Sequence, residues 1–131
     1  MLIIALSIVL FVGCQRNTGG LQIADPVNEM VVLFEWYSHL YEDRQTGEEI
    51  LQRFKEDPAS FLEALVISEP GYREQILVLT GHVIADARSN DPIVYAEYAN
   101  ALELAANLDL GEDSLRMLGF VHANIEYWYN H

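Results

Sequence analysis

The chain has 131 residues, 7 Lys+Arg against 20 Asp+Glu, and a formal net charge of −13. That length fits one domain, and the charge excludes a nucleic-acid binder, which needs cations to displace phosphate counterions. A hydrophobic content of 51% excludes disorder, and a single cysteine excludes an intramolecular disulfide or a Cys-rich zinc site.

The first thirteen residues read MLIIALSIVLFVG, apolar apart from Ser7 and Gly13. The run is shorter than the roughly 20 residues that span a bilayer, and its length suits the apolar region of a secretory signal. The only cysteine follows at once, in Phe11-Val12-Gly13-Cys14. A small residue before a cysteine, at the end of an apolar run, resembles the lipobox of bacterial lipoproteins. The resemblance implies cleavage between Gly13 and Cys14, a diacylglyceryl group on the Cys14 thiol and an acylated new amino terminus. Two or three acyl chains make a stable anchor where one holds only marginally. By the same family's rule, Gln15 after the cysteine implies the outer membrane, facing the periplasm, in a Gram-negative cell. In a Gram-positive cell it implies the outer leaflet of the only membrane. The expected organisation is a signal peptide over 1–13, a lipidated Cys14 with a tether over 14–24, and a single all-helical domain over 25–131.

Residues Gln15 to Ala24, with Gly19-Gly20 in the middle, read as a flexible spacer. From Asp25 onward the pattern predicts an all-α fold. There is no sustained period-two alternation and no hairpin dipeptide between apolar runs. Asp25-Pro26, Asp57-Pro58 and Asp91-Pro92 each set a capping carboxylate before a proline at the first helical position. Ser68-Glu69-Pro70 and Gly111-Glu112-Asp113 offer two more starts, and Thr46 with Glu49 offers a capping box. Six helices are expected, at about 26–43, 47–56, 58–67, 70–87, 92–107 and 112–129.

The first has an apolar face of Met30, Leu33, Phe34, Tyr37, Leu40 and Tyr41. In the fourth, Tyr72, Ile76, Leu79, Val83 and Ala87 form the stripe, and Gly81 marks a close crossing. The fifth is apolar almost all round from Ile93 to Ala105, which predicts a place in the middle. The three Asp-Pro starts lie 32 and 34 residues apart, so the helices form either an irregular bundle or a short stack of hairpins of the HEAT or TPR kind.

No nucleophile elbow, phosphate loop, dinucleotide fingerprint or zinc-protease motif is present, and no cofactor is expected. Glu35/His39/Asp43, His82/Asp86 and His122/Glu126 share helix faces at four-residue spacing. Such neighbours arise readily among 20 acids and read as solvated pairs rather than metal ligands. In the last helix, Leu118, Val121, Ile125 and Trp128 form a core stripe. Phe120 and Tyr127 then fall on the opposite side, and Trp36 sits at the edge of the first helix's core face. Trp36, Phe120 and Tyr127 are the candidate partner-binding residues, since exposed aromatics mark interaction sites.

The expected function is a non-catalytic, lipid-anchored protein-binding module of the cell envelope, such as a pilot or assembly factor. Its partner is another envelope protein, and acidity suits a basic one. Its only contact with the membrane is through the lipid, because the acidic domain repels anionic headgroups. One alternative is an immunity or exclusion lipoprotein that masks a basic toxin or incoming machinery. Another, of a different class, is a small hydrolase built from Glu and His on adjacent helices, around His39, His82 or His122.

Overall fold

The computed structural model describes residues 25–131; the leader, Cys14 and the tether lie outside the described residues. The described residues form six helices and no strand: α1 (Pro26–His39), α2 (Arg44–Glu56), α3 (Pro58–Ile67), α4 (Pro70–Asn90), α5 (Pro92–Ala106) and α6 (Glu112–Tyr129). None of them is long and apolar enough to cross a membrane.

The Asp-Pro starts work as their chemistry dictates. Asp25 accepts from the Val27 amide at 2.9 Å, Asp57 from Ser60 at 3.1 Å and Asp91 from Val94 at 3.2 Å. Each proline stands where its missing N–H costs no helical bond. Asp91 serves two helices, since its own amide donates to Ala87 at 2.8 Å and closes α4. That shared residue carries α4 to Asn90, three residues beyond the expected end at 87.

Two expectations fail between α1 and α2. The first helix ends at His39, not at 43. Tyr41 and Glu42 turn into the left-handed region, with φ of 54° and 62°, and the Glu42 amide returns to the Tyr37 carbonyl at 2.8 Å. The reversal frees Asp43, so Asp43 rather than Thr46 caps α2. The Thr46 amide and hydroxyl donate to Asp43 Oδ2 at 2.9 and 3.0 Å. A carboxylate is at least as good a cap as a hydroxyl, and the earlier start buries Thr46 and Gly47. Glu49 does not close a capping box; it pairs with Arg53 at 3.1 Å.

The middle of the bundle also differs from expectation. It is α3, not α5. Phe61, Leu62, Ala64 and Leu65 are entirely removed from water, and α3 packs against α1, α2, α5 and α6. The Phe61 ring meets Phe34 at 5.6 Å and Phe54 at 4.9 Å, both edge to face. Helix α5 buries only Tyr98, Ala101, Leu102 and Ala105, and Ile93 is 78% exposed. Four of the ten apolar residues from Ile93 to Ala105 are alanines, which have little area to remove from water. A hairpin stack joins neighbours only. Here α3 touches helices from both ends of the domain, so the fold is an irregular bundle.

Helix α4 turns its buried face further than the expected stripe. Ile76, Leu77, Thr80, Gly81 and Ile84 face inward, and Leu79 and Val83 are only half-buried. The cause is the crossing with α6. A Cβ placed on Gly81 would fall 2.5 Å from Asn124 Cβ and 2.7 Å from its backbone carbon, so only glycine admits this approach. Arg73 lies near the start of α4 and reaches back over the end of α3. It donates to the carbonyls of Leu65 at 2.8 Å, Val66 at 3.0 Å and Ser68 at 3.1 Å. A cation there satisfies orphan carbonyls and complements the negative helix end.

Gly81→Ala is expected to destabilise the domain by about 1–3 kcal/mol in urea unfolding, although alanine is the better helix former. Gly119→Ala, on an exposed face of α6 where an added Cβ meets nothing within 4 Å, is expected to stabilise by about 0.5–1 kcal/mol.

Candidate functional site

Two concavities of the described surface have mainly apolar linings. The wider one is a groove of about 880 Å³ between the first half of α4 and the middle of α6. Leu77, Val78 and Phe120 give it an apolar lining beside Pro70 and Gly71, and its charged groups are Glu42, Glu74 and Arg73, the last held by the carbonyls at the end of α3. Val78 is 41% exposed and Phe120 42%, so both present hydrocarbon to water. Asn124, which meets Gly81, lies in the wall, so the close helix crossing also shapes the groove.

The second is a cleft of about 400 Å³ bounded by α1, α2, α4 and α5. Leu51, Leu79, Val83 and the rings of Tyr37 and Tyr98 make it apolar, and Glu42, Arg44, Glu48 and Lys55 edge it. Tyr37 rests on Gly47, where an added Cβ would lie 3.2 Å from the ring. Burial, helped by the Glu42 charge, raises the Tyr37 phenol above its ordinary pKa of 10.0. Burial again comes first for Tyr98, followed by the charges of Glu97 and Glu48. The ammonium of Lys55 lies 5.2 Å from the Tyr98 ring centroid and pairs with Glu97 at 2.7 Å.

Of the three aromatics expected to bind a partner, Phe120 alone lines the groove. Tyr127 is 53% exposed two turns further along α6 and stacks on His131 at 4.2 Å. Trp36 is 40% exposed near the end of α1. Among the described residues no ring–ring contact joins these three to one another. Val78 escaped the sequence reading because Ile76-Leu77-Val78-Leu79 is uniformly apolar. Periodicity inside such a run does not tell which member faces out. Glu42 escaped it because the helix was expected to continue through that position.

The histidines are dispersed. His39 Nε2 lies 3.3 Å from the Tyr72 hydroxyl, His82 packs edge-on to Trp128 at 5.0 Å, and His122 is exposed. Three of their four expected partners are engaged elsewhere: Asp43 caps α2, Asp86 accepts from Asn90 at 2.9 Å, and Glu126 pairs with Arg88 at 2.9 Å. Among the described residues no group of three His, Cys, Asp or Glu side chains is placed to hold a metal ion.

The chain matches no protein-family model, no curated protein and no solved structure.

Charge is distributed in a way composition alone does not reveal. All six Lys and Arg side chains among the described residues are engaged inside the domain. Arg44, Arg53, Lys55, Arg88 and Arg116 pair with carboxylates, and Arg73 holds the end of α3. Three of these pairs join helices: Arg53–Glu29 at 2.8 Å, Lys55–Glu97 at 2.7 Å and Arg88–Glu126 at 2.9 Å. The carboxylates left over face outward with no internal cation to neutralise them.

For Tyr37 and Tyr98 the sign of the pH effect follows from the neutral form being favoured in the fold. Stability is full below pH 10.0 and falls as the unfolded chain ionises first above it. Urea midpoints measured through the alkaline range should show this loss, and Tyr37→Phe with Tyr98→Phe should reduce it.

Proposed function

We propose that this chain is a lipid-anchored, non-catalytic protein-binding module of the bacterial cell envelope, acting as a pilot, assembly factor or adaptor. The partner is a basic, amphipathic segment of an envelope protein, held in the groove between α4 and α6. The observation that carries this reading is the groove itself: exposed Val78 and Phe120 on rigid helices, with Glu42 and Glu74 in the same lining. An amphipathic segment laid into such a groove buries its apolar face and keeps its cations against the carboxylates.

Two further features support it. Every described Lys and Arg is already engaged within the domain, so the unpaired acids are available to the basic groups of a docked segment. The dispersed histidines also favour a binding role over hydrolysis. In this reading the apolar leader is removed, Cys14 carries the acyl chains, and the domain acts from the outer membrane toward the periplasm in a Gram-negative cell.

The same charge supports a second reading, an immunity or exclusion lipoprotein that masks a folded basic protein. Salt separates the two. Docking dominated by the apolar lining tolerates salt, whereas steering by net charge gives an on-rate that falls steeply as salt rises.

Co-purification of the full-length protein from envelopes of its native host is expected to capture one partner. Phe120→Ser and Val78→Ser should each weaken capture by about tenfold or more, as expected of central apolar anchors. Trp36→Ser should leave it unchanged. Equal capture by all the variants would remove the groove from the proposal. Mass spectrometry of the same material should find a diacylated Cys14 at the amino terminus; an intact leader would remove the anchor.

A further inference from the structure

We infer that the cleft between α1, α2, α4 and α5 is a binding site for a small organic cation, an ammonium group carried on an apolar body. The inference stands apart from the lipid anchor, and the cleft shares Glu42 alone with the groove.

Two tyrosines carry the argument. Tyr37 is 7% exposed and Tyr98 5%, yet among the described residues neither hydroxyl has a hydrogen-bond partner. Both tyrosines border the open cleft, so each hydroxyl, unclaimed by the protein, is free to bond a ligand in place of water. Both phenols sense carboxylates of that cleft: Glu42 acts on Tyr37 and Glu48 on Tyr98.

The sign of the ligand follows from what remains unpaired. Lys55 is neutralised by Glu97 at 2.7 Å and Arg44 by Glu48 at 3.2 Å. The Glu42 carboxylate has no ion-pair partner among the described residues. It is held at the cleft by a turn that places both Tyr41 and Glu42 in the left-handed region, strain of a kind that collects at functional sites. The groups left to meet a ligand are a carboxylate, two phenol oxygens that can accept, and aromatic faces. All of these suit an N–H donor with positive charge. The Tyr98 face already attracts a cation, since Lys55 lies over it at 5.2 Å. Leu51, Leu79 and Val83 then cover the ligand's hydrocarbon, in a volume of about 400 Å³ that suits a small molecule.

The test is calorimetric titration of the full-length protein with phenethylammonium, with phenylacetate as the anion of similar size and Nα-acetyl-lysine methylamide as a stand-in for a lysine side chain. Saturable binding of phenethylammonium and none of phenylacetate is expected. Glu42→Gln, which keeps the shape of the side chain, should weaken binding by about tenfold. Lys55→Met, which removes the competing internal cation, should tighten it severalfold. Comparable binding of the lysine analogue would support the same chemistry with a protein-borne ammonium as its source. No saturable binding of either amine overturns the inference. So does preference for phenylacetate, or full affinity in Glu42→Gln.

Discussion

A ten-residue helix with four side chains wholly out of water holds this molecule together. Helix α3 is short enough to be surrounded, and Phe61 at its heart links Phe34 of α1 to Phe54 of α2 by edge-to-face contacts. Phe54 extends the cluster to Tyr98 of α5 at 6.4 Å. Aromatic rings of this kind bury about 150–250 Å² each and dominate the energetics of a core. The ends of that helix are partly covered by their neighbours, and their polar groups need partners. Asp57 satisfies the first amides, and Arg73 together with the Ser68 hydroxyl satisfies the last carbonyls. The apolar centre and its polar closure depend on each other, because a buried helix end without partners would offset much of what the rings contribute.

Around that centre the second constraint is contact distance. Glycine at position 81 lets α4 and α6 approach until Asn124 fills the space of a missing side chain. The crossing fixes where Val78 and Phe120 stand relative to one another, so the groove is a consequence of backbone approach. The interhelical ion pairs then set the electrostatic character. Cations are used within the scaffold to join α1 with α2, α2 with α5, and α4 with α6. The charged groups that remain outside are nearly all carboxylates, and they give the domain a negative field that salt screens over about a Debye length.

Much of this was legible along the chain, and the reason is local. Asp25, Asp57 and Asp91 cap helices through bonds to amides two or three residues away, and the prolines after them fix φ without reference to any other part of the molecule. The six elements and their order follow from such short-range chemistry. It failed where two local solutions competed. Asp43 and Thr46 are both fair caps, and the choice went to the one that also buried Thr46 and Gly47 beneath Tyr37.

The sequence by itself thus determined an all-helical, acidic chain with its helix starts in place, and it marked Gly81 as a point of contact and Phe120 as outward-facing. Only the tertiary structure decided that α3 rather than α5 is central, that Val78 joins Phe120 in one groove, and that Tyr37 and Tyr98 share a cleft with Glu42. Capping and helical periodicity act over a few residues and are written in order along the chain. Which face meets which depends on volumes and approach distances between segments tens of residues apart, and no single stretch of sequence contains that information.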